Sequence, residues 1–192
     1  MGKVFELISD NALKKLDDYY TECHVCERED VDLYTYQGTV YDENGNALDD
    51  SWDSYAVCAD CILAGRVTHI CDFEYIKTID HYLEMSNLTI EKKSLTRERL
   101  INKYQRTPDI PIFMQHEDRP LCCNDITEFI GHPKNDEELF AISEQNNYWE
   151  QGIKPKRESA DFRKWGRPES YRDVATFQCR HCRKKYFTFQ FT

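Results

Sequence analysis

The sequence predicts an α+β fold on three observations. Residues 31–41, 55–57, 174–178 and 186–191 are rich in Tyr, Thr, Val and Phe, the composition of strands. Segments 5–20 and 73–85 space their apolar residues by three and four, as helices do, and 96–105 and 135–149 carry helix-capping signals. Cys-x-x-Cys pairs adjoin the strand runs: Cys23–Cys26, Cys58–Cys61 and Cys179–Cys182, with a Cys122-Cys123 doublet between the second and third. Two residues between two cysteines let one tight turn aim both thiolates at a single ion, about 2.3 Å from each sulfur for zinc. The expectation is one compact zinc-stabilised unit over residues 1–192. A treble-clef or ribbon-like N-terminal module would occupy 19–70. A second module, 108–192, would end in a zinc-knuckle hairpin packed with helices.

Each element has its own signal. Residues 5–20 read as a helix through Leu13, Leu16 and Tyr20, capped at Ser9 or Asp10. The first knuckle follows, then the strand run 31–41, an Asn44-Gly45 turn and a short strand at 55–57 that leads into the second knuckle. Residues 62–64 read as a short helix ended by Gly65. Residues 73–85 predict a helix from apolar positions 73, 76, 79, 82 and 83. Another is expected at 96–105, capped by Ser94 or Thr96 and stopped by Pro108. Residues 110–114 read as a short buried strand. Residues 126–130 read as a brief helix capped by Asn124 or Asp125 and closed by Gly131. Asn135 with Glu138 has the form of a capping box and opens a helix to about residue 149. Residues 150–173 read as an irregular connection, before a hairpin whose tip is the third knuckle.

Composition narrows the class. The chain has 192 residues, 31% charged, with twelve Tyr and ten Phe, so metal sites would replace part of a missing aliphatic core. The first residues meet charge too soon for a signal peptide, and no apolar run approaches a membrane span, which leads us to expect a soluble cytoplasmic protein. In a reducing compartment, paired cysteines read as metal ligands, and an odd total of nine fits a disulfide framework poorly. The net charge of −10 is uneven. Residues 151–192 hold eleven Lys/Arg against four Asp/Glu, a balance of +7, which leaves residues 1–150 at −17. Such a body repels phosphate backbones and attracts basic proteins.

The constellations follow from spacing. Cys23, Cys26, Cys58 and Cys61 suit one structural zinc site with four thiolates. Cys179 and Cys182 need distant partners, and Cys122 with Cys123 complete a second set. Adjacent residues share an ion only where the backbone kinks, so His116 or His181 is the alternative donor. Three protein ligands plus water would make that site catalytic. Cys71 reads as a buried thiol, and the string Gln115-His116-Glu117-Asp118 as a solvated loop. Asp125 reads as a helix cap rather than a catalytic carboxylate. Arg180, Arg183, Lys184 and Lys185 beside Tyr186 and Phe187 could touch nucleic acid, but they equally offset a thiolate site and the acidic body. No P-loop, dinucleotide fingerprint or nucleophile elbow is present.

Several of these motifs occur in a recognisable order. Cys58-Ala-Asp-Cys61-Ile62-x-x-Gly65, Arg106-Thr107-Pro108, Gln115, Cys122-Cys123-Asn124-Asp125, Phe129-Ile130-Gly131 and Phe177-x-Cys179-x-x-Cys182 resemble the CbrC-like family. These are small bacterial cytosolic zinc-binding proteins without a defined activity. The resemblance runs from about Cys23 to the C-terminus. Relatives carry His-Cys at the Cys122-Cys123 position, an exchange between two zinc-ligand types that implies both residues are ligands. The acidic loop at 43–53 is longer than the family pattern, and the Arg/Lys-rich segment after the last knuckle departs from it. The family's name is associated with tolerance to nuclease colicins, which implies an immunity-like role.

The functional expectation is therefore a non-enzymatic protein-binding protein with two zinc ions. An acidic surface would face a basic partner such as a nuclease toxin, with Tyr34, Tyr36, Tyr41, Trp52 and Tyr55 as anchors. The alternatives are a zinc-dependent hydrolase at the second metal site and nucleic-acid binding through the basic C-terminal segment.

Overall fold

A computed structural model describes residues 2–17, 19–41, 44–49, 54–69, 72–110, 119–150, 154–155 and 161–189. It is a mixed α+β fold built on two sheets. The first is organised on the long strand β1 (Leu33–Tyr41). Its first half pairs antiparallel with β3 (Ser54–Cys58). Its second half pairs with β2 (Ala47–Asp49) and β4 (Val67–His69), also antiparallel. Gly38 is required where β1 meets β4, because a Cβ there would lie 2.2 Å from the Thr68 carbonyl oxygen. Asn44 and Gly45 (φ 80°) lie in the β1–β2 connection.

β3 runs directly into α1 (Ala59–Leu63), which ends at Gly65 in the left-handed conformation (φ 73°). α2 (Asp72–Glu84) and α3 (Ile90–Gln105) form a helical pair tied by Arg97, whose Nε and Nη2 donate to the two Asp80 oxygens at 2.6 and 3.2 Å. α3 starts six residues earlier than the sequence predicts. Thr89, rather than Ser94 or Thr96, accepts from the Lys92 N–H and caps it. The helices meet the sheet through aromatic stacking: the His69 ring lies 4.1 Å from Tyr36 and 4.5 Å from Tyr104, with Tyr75 another 4.4 Å beyond Tyr104.

The second sheet has the order β7 (Glu128–Gly131), β10 (Val174–Gln178), β11 (Lys185–Phe189), β8 (Asn147–Glu150), β9 (Lys154–Pro155). All its pairings are antiparallel except β11 with β8. A separate two-strand hairpin, β5 (Leu121–Cys122) and β6 (Asp125–Ile126), precedes it. α4 (Asp136–Gln145) and α5 (Phe162–Trp165) close a small core of Leu139, Tyr148, Phe162, Val174 and Phe187. A larger core runs from Phe5 through both sheets to Tyr186.

Four predicted elements differ from the structure. Residues 5–20 form no helix. Ile8 instead bridges in parallel to Phe129, the Ser9 N–H donates to the Phe129 carbonyl and the Phe129 N–H to that of Leu7. Helix nucleation is costly, and joining the edge of β7 buries Phe5, Leu7 and Ile8 at 2% exposure or less. Residues 126–130 are strand, not helix, because Phe129 and Glu128 pair with β10. The helix opened by Asn135 stops at Gln145. Tyr148 and Trp149 bury themselves in β8, where propensity and packing agree. Among the described residues of 150–173, expected to be irregular, the chain makes β9, α5 and a 3-10 turn, Tyr171–Asp173. Of the predicted strand at 110–114, Ile110 is not in a strand and the rest lies outside the described residues.

Candidate metal centres

The first knuckle closes as a hydrogen-bonded turn. The Glu27 N–H donates to the Cys23 carbonyl (2.8 Å), and the Cys23 N–H to the Arg28 carbonyl (2.9 Å). The third knuckle repeats it: the Arg183 N–H donates to Cys179 (3.0 Å) and the Cys179 N–H to Lys184 (2.8 Å). In both, the residue after the second cysteine is left-handed, Glu27 at φ 59° and Arg183 at φ 61°. The second pair is built differently. Cys58 is the last residue of β3 and the N-cap of α1, and Cys61 lies in that helix's first turn. The register Leu33↔Cys58 carries it to the end of β1, beside the first knuckle.

Cys23, Cys26, Cys58 and Cys61 thereby converge, with all four sulfurs within 4.8 Å of one another. The Cys26 and Cys58 sulfurs lie 3.8 Å apart. A tetrahedral ion with sulfur at about 2.3 Å requires an edge of about 3.8 Å, so the donor set fits zinc. Cys23 is wholly buried, and Cys58 and Cys61 are nearly so. Burial would raise the Cys23 thiol, but the N–H groups of Cys58 (3.3 Å), Val25 and Cys26 outweigh it and hold it below its ordinary value. Burial pushes the Cys61 thiol strongly up, and the neighbouring Cys23 adds to it. Four sulfurs this close repel as thiolates unless a cation offsets them.

Cys122, Cys123, Cys179 and Cys182 form a second group, again within 4.8 Å. The kink that lets adjacent cysteines share an ion is the turn between β5 and β6. Its two central residues, Cys123 (φ 54°) and Asn124 (φ 58°), are both left-handed, the signature of a type I′ hairpin. Cys122 lies 3.8 Å from Cys123 and 3.5 Å from Cys182, sulfur to sulfur, close to the same tetrahedral edge. The Tyr186 hydroxyl donates to the Cys122 sulfur at 3.2 Å. The Lys184 N–H, foremost, draws the Cys182 thiol down to about 7. Here Cys123 and Cys182 are exposed, Cys122 is half-buried and Cys179 is buried.

A buried ionic network lies beside this group. Asp125 accepts from Arg99 (3.0 Å), Lys103 (3.0 and 3.1 Å), Arg180 (3.0 Å) and His181 (3.1 Å). Glu6 pairs with Lys103 and Arg180, each at 2.6 Å. Burial alone would raise the Asp125 carboxyl, but the hydrogen bonds from Lys103 and His181 and the charges of Lys103 and Arg180 bring it to about 2. Asp125 is therefore not the helix cap read from sequence. It begins a strand and gathers cations contributed by α3 and the third knuckle. Glu6 gave no sequence signal at all, since its partners lie about a hundred residues or more away.

Other expected site residues fall elsewhere. His181 turns to Asp125, not to the sulfurs, and His116 lies outside the described residues, as do Cys71 and Trp52. Tyr34 and Tyr36 are 3% and 0% exposed and cannot anchor a partner, because β1 turns both into the core. Tyr41 is half-buried, and the side chain of Tyr55 lies outside the described residues. Arg180 serves the ionic network, while Arg183, Lys184 and Lys185 remain exposed. Among the described residues, no helix is long and apolar enough to cross a membrane.

Each group can thus hold one zinc ion, two in all. A sequence model of the Uncharacterised protein family (UPF0167) matches residues 10–191. No curated protein and no solved structure matches the chain.

Proposed function

The chain belongs to the uncharacterised protein family UPF0167, and on that premise we propose that it is a non-enzymatic, zinc-stabilised protein-binding protein. Cys23, Cys26, Cys58 and Cys61 hold one zinc and Cys122, Cys123, Cys179 and Cys182 the other. The observation that carries this reading is the donor set. Each group offers four thiols within 4.8 Å of one another, enough to close a four-coordinate shell, and a catalytic zinc keeps one position for water or substrate. The zinc would supply cross-linking of distant segments and charge compensation. The residues themselves set the turns, align the sulfurs and supply N–H groups to them.

The partner face is acidic. Glu22, Glu27, Glu29 and Asp30 are exposed around the first knuckle, within a body of net −17. A zinc held by four thiolates adds −2 there. Such a surface steers a basic protein into encounter, so the partner class is a basic protein, and a nuclease toxin is a member of that class. The CbrC-like resemblance and an immunity-like, toxin-tolerance role in the bacterial cytoplasm belong to this proposal.

The test is fluorescence anisotropy of the zinc-loaded protein against a panel of basic nuclease domains at low and moderate salt. Binding that weakens steeply with salt, without turnover of the partner, is the expected result. No binding across the panel would remove the basic-partner reading. X-ray absorption that finds oxygen in either zinc shell would overturn the non-enzymatic one.

A further inference from the structure

The two thiol groups are matched in donors and unlike in surroundings. In the first, Cys23, Cys58 and Cys61 are 0, 2 and 5% exposed beside β3 and α1, Cys26 is half-buried, and none of the four is exposed. The second stands at the meeting of two hairpin tips, the Cys123-Asn124 turn and the third knuckle. It presents Cys123 and Cys182 to solvent. Exposed Arg183 and Lys184 follow Cys182 in the chain, and the Cys182 sulfur lies 3.5 Å from that of Cys122. Oxidation of sulfur follows thiolate character and access, and zinc keeps sulfur in the thiolate form.

We propose that Cys122, Cys123, Cys179 and Cys182 form an oxidant-reactive zinc–thiolate site, where a hydroperoxide oxidises Cys182 to a disulfide with the Cys122-Cys123 doublet and frees the zinc. The first group stays closed. The proposal rests on the reading of both groups as zinc sites. With hydrogen peroxide, the Cys182 thiolate attacks one peroxide oxygen. The S–O bond forms, the O–O bond breaks and hydroxide leaves. A thiolate of the doublet, such as that of Cys122 with its sulfur 3.5 Å from Cys182, then attacks the sulfenic sulfur. The S–S bond forms, the S–O bond breaks and a second hydroxide leaves. Two thiolates have given two electrons to the peroxide, and two solvent protons convert both hydroxides to water. Two thiolates no longer hold the ion. The disulfide still joins the two hairpins, so one cross-link replaces another and a thiol reductant with added zinc reverses the change.

The experiment treats the zinc-loaded, full-length protein with hydrogen peroxide. Released zinc is followed with a chromogenic chelator, and alkylated peptides are mapped by mass spectrometry. One zinc per chain is expected to leave about tenfold or more faster than the other, since oxidation tracks access. Cys182 should be found paired with Cys122 or Cys123, while Cys23 and Cys58 remain alkylatable after denaturation. Release of both ions at one rate, or first oxidation in the buried group, overturns the proposal. Cys182→Ser should abolish the fast phase. Because that variant can lose the ion altogether, the peptide map of the unmodified sequence decides. Fewer than two zinc ions before treatment would sink the metal reading itself. Two ions released at equal rates would sink only the reactivity.

Discussion

Glu27 and Arg183 occupy the same place in two copies of one turn. Each follows the second cysteine of a Cys-x-x-Cys pair, each has φ near 60°, and each donates its N–H to the carbonyl of the first cysteine. A side chain in this left-handed conformation costs about 1–2 kcal/mol, a cost that glycine avoids. Glu27→Gly and Arg183→Gly should each raise stability by about 0.5–1 kcal/mol, once the greater freedom of glycine in the unfolded chain is included. Urea unfolding of the zinc-loaded variants measures this, and the two effects should add because the turns share no partner.

Asp125 is the hub of the ionic network beside the second thiol group, and its loss should be severe. Asp125→Ala leaves Arg99, Lys103 and Arg180 gathered around a missing charge, and breaking such a buried arrangement costs about 3 kcal/mol or more. Glu6→Gln removes a more exposed partner of the same cations and should cost about 1 kcal/mol or less. Thermal unfolding of the two variants in parallel gives the comparison. Equal losses would show that Asp125 is not the hub.

The sign of one pH effect follows from His132. Burial lowers its affinity for a proton, and its Nδ1 lies 2.9 Å from the Val174 carbonyl, to which the neutral ring donates. The unfolded chain therefore binds the proton more tightly. The stabilisation is fully present above the ordinary histidine value of about 6.5 and is lost as pH falls below it. His132→Asn should flatten this part of the pH–stability curve between about pH 7 and 5.5. An unchanged slope would rule His132 out as the source.

Asn124 should matter to metal retention through its backbone. It is left-handed, its carbonyl accepts from Arg99 at 2.6 Å and its N–H donates to the Tyr82 hydroxyl at 3.0 Å. Asn124→Gly should keep the turn. Asn124→Val places a β-branched residue where φ is positive, at a cost of about 1–2 kcal/mol, and should loosen the doublet. Competition with a zinc chelator should then remove one zinc from the Val variant about tenfold more readily, with the first centre unaffected.

Local patterns made much of the fold legible. The strand run at 31–41, the helix at 73–85, the Asn135 cap and the C-terminal hairpin each rest on neighbours in sequence, and each formed with boundaries shifted by a few residues. The misread segments were those whose partners are distant. Residues 5–20 have helical spacing, yet Ser9 and Leu7 exchange hydrogen bonds with Phe129. Residues 126–130 have a plausible cap and stop, yet β10 claims them as strand.

The cysteine spacings alone determined three pairs of thiols, because a Cys-x-x-Cys turn is a local structure that points two sulfurs one way. Which distant segments meet was decided by sheet register and by one type I′ turn, which set Cys122 and Cys123 beside the third knuckle. The difference between the groups was decided there too. One lies between a sheet and a helix and the other at two hairpin tips, and no spacing encodes burial. Asp125 shows the same limit: its neighbours Arg99, Lys103, Arg180 and His181 come from α3 and the third knuckle, and only the folded chain brings them within hydrogen-bonding distance.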